Sequence, residues 1–223
     1  MWRWLSNKPS FLHFDDVFAA NREQLTQGLF RAVEALRRPN QLVFLVCHFG
    51  ETHEQLQLEL DRRAIPYELI DQPIERDAFL SWQATGPASV FLTLSSMLAP
   101  WDQTRPVERR QSPQVAVMVA ERHPHPQVRQ QIVRWCRHQP VPVELGYYMA
   151  LTDDVIQRAI APRMIELLDL MGLEQNELVS SLMLSRRLDR VLNRNRHLPL
   201  EPRFAENARA WWDQAESLDQ RDR

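Results

Sequence analysis

Apolar positions along this chain fall into two kinds of pattern. A short continuous apolar run occupies residues 42–47, which predicts a strand buried on both faces. Residues 67–70, 90–94, 115–120 and 145–150 read as further strands. Between them the spacing becomes helical. Phe18, Leu25, Leu29, Val33 and Leu36 lie on one helical face, with Asp15 and Asp16 placed to cap its start and Pro39 to stop it. Thr52 and Gln55 frame a capping-box pattern ahead of Leu56 and Leu60. Residues 77–82 predict a short helix closed by Gly86 and Pro87. Pro126 suits the first turn of a helix on which Val128, Ile132 and Trp135 share a face.

Strands alternating with helices of these lengths predict an α/β fold, a parallel sheet covered by helices on both faces, over residues 15–152. An N-terminal arm, residues 1–14, precedes it. From 153 to 223 the pattern predicts a helical extension only. Leu178, Leu182, Leu188 and Leu192 line one of its helices, closed by Pro199; Phe204, Ala208, Trp211, Ala215 and Leu218 line the last. The polar, arginine-rich stretch 100–113 reads as an exposed loop.

Composition narrows the function classes. Apolar content of 44% and charged content of 25% are those of a globular protein, and a net charge of -2 gives no global attraction to nucleic acid or an anionic membrane. Cys47 and Cys136 make no disulfide framework, no apolar run approaches the ~20 residues that span a bilayer, and the first residues lack the apolar core of a signal peptide. These features predict a cytoplasmic location. Lysine occurs once, at Lys8, beside Pro9 and far from any glycine; the five glycines are Gly28, Gly50, Gly86, Gly146 and Gly172. A phosphate-cradling P-loop needs clustered glycines followed by a lysine, so none is expected.

Candidate chemistry is sparse. His48 with Glu51, and His123 with His125, lack a second cluster at zinc spacing, so no metal is expected. Cys47 ends an apolar strand and reads as a buried thiol. Asp153 and Asp154 precede a helix, where aspartate satisfies free N–H groups. Arg186, Arg187, Arg190, Arg194 and Arg196 read as a solvated helix face without aromatic interleaving, and no nucleic acid is expected. Trp211 falls on the apolar face of the last helix and Trp212 one residue off it, so core packing and a docking surface both stand; Trp2 and Trp4 at the other terminus are potential partners for them.

Two blocks of sequence resemble the second motor domain of SecA, the ATPase that drives preproteins through the bacterial translocon. In the first, from Val43 to Asp71, an apolar strand is followed by a helix carrying Glu54 at the family's Ser-Glu position, then by Arg63, Ala64 and Ile65 ahead of a β-run. In the second, Glu121, Arg122 and His123 match the family's Thr-Glu-Arg-His, and Gln131 matches the glutamine that opens its arginine motif. The run from Tyr147 to Asp154 is similar to Phe-Tyr-Leu-Ser-Leu-Glu-Asp-Asp, and the likeness continues through Met171, Gly172 and Leu173 to Arg190. It covers about two thirds of the chain and implies a RecA-like sheet.

The departures imply loss of the family's ATPase activity. Its Thr-Asn-Met-Ala-Gly-Arg-Gly-Thr-Asp falls on residues 95–103, where only Met97 survives and Trp101 stands among the replacements. Its two motif arginines fall on Trp135 and His138; Arg134 and Arg137 keep the spacing one place early, a helical rotation of ~100°. The family's first motor, which carries the P-loop, has no counterpart in this sequence.

The resemblance therefore implies a non-catalytic pseudo-motor that binds another protein, a P-loop motor or translocon component, with protein export as its setting and no cofactor of its own. Met97, Trp101, Trp135, Trp211 and Trp212 are the expected partner-binding residues. The alternative is a split ATPase in which Arg134 or Arg137, with Gln131, reaches a partner's nucleotide.

Overall fold

All seven residues of the central strand, Gln41–Cys47, are buried, and they alternate between two cores. Leu42, Phe44 and Val46 pack with Phe79, Ile132 and Trp135 on one face. Val43, Leu45 and Cys47 pack with Leu29, Val33, Leu56 and Leu60 on the other. An unbroken apolar run is what a strand with no solvent face requires.

The computed structural model describes residues 11–13, 16–38, 41–85, 89–98, 114–139, 141–160, 178–200 and 205–221. Among these, eight strands form one sheet: β1 (Phe11–His13), β2 (Val17–Ala19), β3 (Gln41–Cys47), β4 (Glu68–Ile70), β5 (Ser89–Leu94), β6 (Gln114–Val119), β7 (Val143–Ala150) and β8 (Val179–Ser180). Their order is β4-β5-β3-β6-β7-β2-β8, with β1 also against β7. Every pairing is parallel except β2 with β8. The helices are α1 (Arg22–Leu36), α2 (Gly50–Arg62), α3 (Arg76–Thr85), α4 (Pro126–Arg137), α5 (Asp154–Ala159), α6 (Leu182–Leu192) and α7 (Ala208–Arg221). Helices α1 and α2 cover one face of the sheet; α3 to α7 supply residues to the core on the other. The mostly parallel α/β architecture expected from the alternating pattern is present, and it is consistent with a RecA-like sheet.

Local sequence explains most helix boundaries. Asn21 caps α1, its Oδ1 accepting from Gln24 N at 3.0 Å. Asp16 is therefore no cap: it is buried ahead of β2, and Phe18 lies on that strand rather than on the helix. Thr52 is no capping residue either, because α2 starts two residues earlier and Phe49 holds the cap position. His125 caps α4 through Nδ1, with Pro126 at the first turn as expected. On α6 the buried stripe is Leu184, Leu188 and Leu192, while Leu182 faces solvent and Leu178 precedes β8. Gly28 lets α1 approach that segment: a Cβ there would lie 2.6 Å from the Leu178 side chain.

The region after 153 is not helical throughout, since β8 adds an antiparallel strand to the sheet edge. Its described helices share the main core. Val155, Ile156, Leu188, Trp211 and Ala215 pack in the same cluster as Trp135 and Phe44. Among the described residues no helix is long and apolar enough to cross a membrane.

Candidate functional site

Strand order places a switch point beside β3. The chain leaves β3 through α2 toward β4 and β5 on one side, then returns to β6 on the other. In open α/β sheets, ligands occupy the crevice outside the carboxyl ends of strands at such a point. Here that crevice is bounded by His48 and Phe49 after β3, and by Glu121, Arg122 and His123 after β6.

The N-terminus of α2 points into this crevice, and oxygen atoms of the chain itself lie against it. Glu121 Oε1 accepts from His48 N at 2.7 Å and from Phe49 N at 3.1 Å. Its Oε2 accepts from the Thr52 hydroxyl at 2.7 Å. Glu51 N donates to the Glu206 carbonyl at 3.2 Å. A helix N-terminus carries unsatisfied N–H groups and a partial positive charge, which is where phosphate groups bind in nucleotide folds. Burial raises the Glu121 carboxyl above its ordinary value, opposed by the Thr52 and His48 hydrogen bonds.

A cavity of about 460 Å³ adjoins this cluster, lined by Arg22, Thr52, Glu121, Asp153, Asn207 and Arg209, with other residues around its mouth. Its size is that of a ligand pocket, but much of its charge is already paired. Arg22 contacts Asp153 at 3.3 Å and donates to the Ala120 carbonyl at 3.2 Å. Asp153 also accepts from Ala150 N at 2.9 Å, so its carboxylate turns back toward β7 instead of accepting from the first N–H groups of α5. Asn207 donates to Glu51 at 2.8 Å.

Behind the crevice lies a buried ion cluster. Arg122, 2% exposed, contacts Asp16 at 3.5 Å and Asp189, and its guanidinium lies 4.6 Å from the Tyr147 ring centroid. Arg129 contacts the other oxygen of Asp189 at 3.1 Å. None of the pairings of Arg122 or Glu121 is local in sequence.

The histidines serve packing and capping. His48 Nδ1 is 2.8 Å from Ser95 Oγ. The His123 ring stacks on Phe49 at 5.2 Å and meets Trp211 edge-on at 5.2 Å. His123 and His125 accept backbone N–H groups through Nδ1. Burial lowers His48 well below its ordinary 6.5, helped by His123 and Arg122, and lowers His123 to about 3. Cys47 is fully buried, its thiol donating to the Thr93 carbonyl, and burial raises its pKa.

A pH dependence follows. The unfolded chain protonates these histidines near 6.5, whereas the folded chain resists until far lower pH, so their stabilising contribution is complete above 6.5 and is lost as pH falls. Glu121 and Asp153, raised by burial, act in the opposite sense and soften that loss near their ordinary values of 4.5 and 3.8. The expected result is a melting temperature that falls between about pH 7 and pH 5, with a flatter profile in His123→Phe, which keeps the ring stacking. An unchanged profile in that variant would remove His123 from the explanation.

The residues anticipated from sequence do not converge here. Gln131, Arg134 and Arg137 are exposed on α4, the arginines in its last turn. Because α4 starts at the crevice and ends ahead of β7, that turn lies at the opposite end of the sheet from Glu121. Trp135 corrects the expectation of a partner-binding residue: it is fully buried, edge-on to Phe44 at 5.7 Å and to Phe79 at 6.0 Å. Trp211 and Trp212 are buried as well. Trp211 packs between His123 and His125 and donates to the Leu200 carbonyl, and Trp212 lies under Arg158. Met97 is half-buried in a 3₁₀ turn; Trp101 lies outside the described residues, as do Trp2 and Trp4. Sequence reasoning missed Glu121 as an internal ligand for α2, although a carboxylate directly after a buried apolar run is a usable signal.

No family model and no curated protein sequence matches this chain.

Proposed function

We propose that this chain is a non-hydrolysing α/β module that binds another protein, derived from a SecA-like second motor. One observation carries the reading: the Glu121 carboxyl lies against the start of α2, held by His48 N, Phe49 N and the Thr52 hydroxyl, so an anion approaching this helix end would meet oxygen acceptors already in place. The scarcity of glycine and lysine agrees with it. With Trp135, Trp211 and Trp212 buried, the surface best suited to a partner among the described residues is Leu182 and Met183, 47% and 61% exposed and adjacent in sequence, beside the edge strand β8. The Leu182→Glu, Met183→Glu variant is expected to keep its melting temperature and lose most cross-linked partner recovered from native cytoplasm. Full recovery with that variant would exclude this surface.

A split ATPase is the second reading, favoured by the exposure of Arg134 and Arg137 on one face of α4. It requires a P-loop partner whose ATPase rate falls about tenfold or more with Arg137→Ala. The adaptor reading requires that rate to stay unchanged.

A further inference from the structure

Arg122 also lines a smaller pocket, of about 150 Å³, between the first turns of α4 and the end of α6 with its following 3₁₀ turn, Asn193–His197. Three guanidiniums line it, from Arg122, Arg129 and Arg196, against one carboxylate, Asp189. Asp189 is shared: one oxygen meets Arg122 and the other Arg129. Asp16 gives Arg122 a second carboxylate. Three fixed positive charges thus face two negative ones. His123, neutral at pH 7, adds no charge.

Donor capacity is also left over. Arg129 Nε is buried and makes no hydrogen bond among the described residues, while Arg122 Nη1 faces Asp16 at 3.5 Å, beyond good hydrogen-bond distance. Both guanidiniums are held in place over the same ring, 4.6 Å and 5.8 Å from the Tyr147 centroid. Arg196 is exposed at the mouth, and the Gln130 and Asn193 amides line the rim. Preorganised guanidiniums match the oxygens of a phosphoryl group, which offers three acceptor oxygens to several arginines where a carboxylate offers two. The neighbouring exposed Arg186, Arg190 and Arg194 strengthen the field that draws an anion in.

We propose that this pocket binds a phosphoryl oxyanion, gripped by Arg129 and Arg196 with Arg122 behind them. The site shares Arg122 and His123 with the crevice wall but lies on its α4–α6 side, away from Glu121, and it is independent of the adaptor reading.

The test is calorimetric titration of the intact chain with inorganic phosphate, against chloride at matched ionic strength. Saturable phosphate binding is expected, weakened roughly tenfold or more by Arg196→Gln. Arg196 is exposed and outside the core, so its loss leaves the fold intact. Arg129→Gln gives the same loss, and Arg209→Gln, in the other cavity, gives none. Absence of saturable binding, or equal affinity in the Arg129→Gln, Arg196→Gln double variant, overturns the proposal. Sedimentation with phosphatidate vesicles then separates the sources. Co-pelleting that Arg196→Gln abolishes assigns a lipid headgroup, and retention in the supernatant assigns a soluble phosphate.

Discussion

Arg122→Met is expected to destabilise the protein by about 3–5 kcal/mol, the usual cost of breaking a buried ion pair from one side. Asp16 is fully buried, and Arg122 is its ion-pair partner among the described residues. Its two oxygens make no hydrogen bond there. Removing the guanidinium leaves that carboxylate with nothing to offset its desolvation. Asp189, about a third exposed and still paired with Arg129, suffers less. The Asp16→Leu, Arg122→Met double variant separates pair energy from packing: it is expected to recover much of the loss, because two apolar groups need no partner. Urea unfolding measures both. A cost below about 1 kcal/mol for Arg122→Met would mean that the cluster is not the buried anchor described.

Trp135→Ala is expected to cost a similar 3–5 kcal/mol, the range for deleting a buried tryptophan. The ring is fully enclosed between β3 and α3, in edge contact with Phe44 and Phe79. In a chain of this length the loss corresponds to a fall in melting temperature of roughly 6–20 °C. The same variant distinguishes core from interface. A tryptophan that served a partner would leave the melting temperature unchanged on removal and weaken only association.

The strands that proved most legible were those buried on both faces. Residues 42–47 and 115–120 carry unbroken apolar runs, and no helix of that length needs such a composition. The short strands β1, β2 and β8 carry no readable period in two or three residues; only pairing with β7 and with one another makes them strands. Phe18 illustrates the failure, since its spacing to Leu25 fits a helical face while its backbone pairs with Met149. Thr52 fails differently. Its capping pattern is real, but the hydroxyl reaches Glu121, 69 residues away. Candidate sites were less legible still. Arg122, Asp16 and Asp189 are scattered along the chain and meet only through the strand order. For Trp135 and Trp212, residue type pointed to an interface, and burial was decided by the helices packed around them.

The occupied α2 N-terminus is the centre of this account, and calorimetric titration of the intact chain with Mg-ATP tests it most directly. No saturable heat up to millimolar nucleotide is the predicted result, because His48 N, Phe49 N and the Thr52 hydroxyl already hold Glu121. The Arg129→Gln, Arg196→Gln background excludes heat from the smaller pocket. Saturable binding in that background, displaced by ADP, would contradict the account and restore a nucleotide function to the crevice.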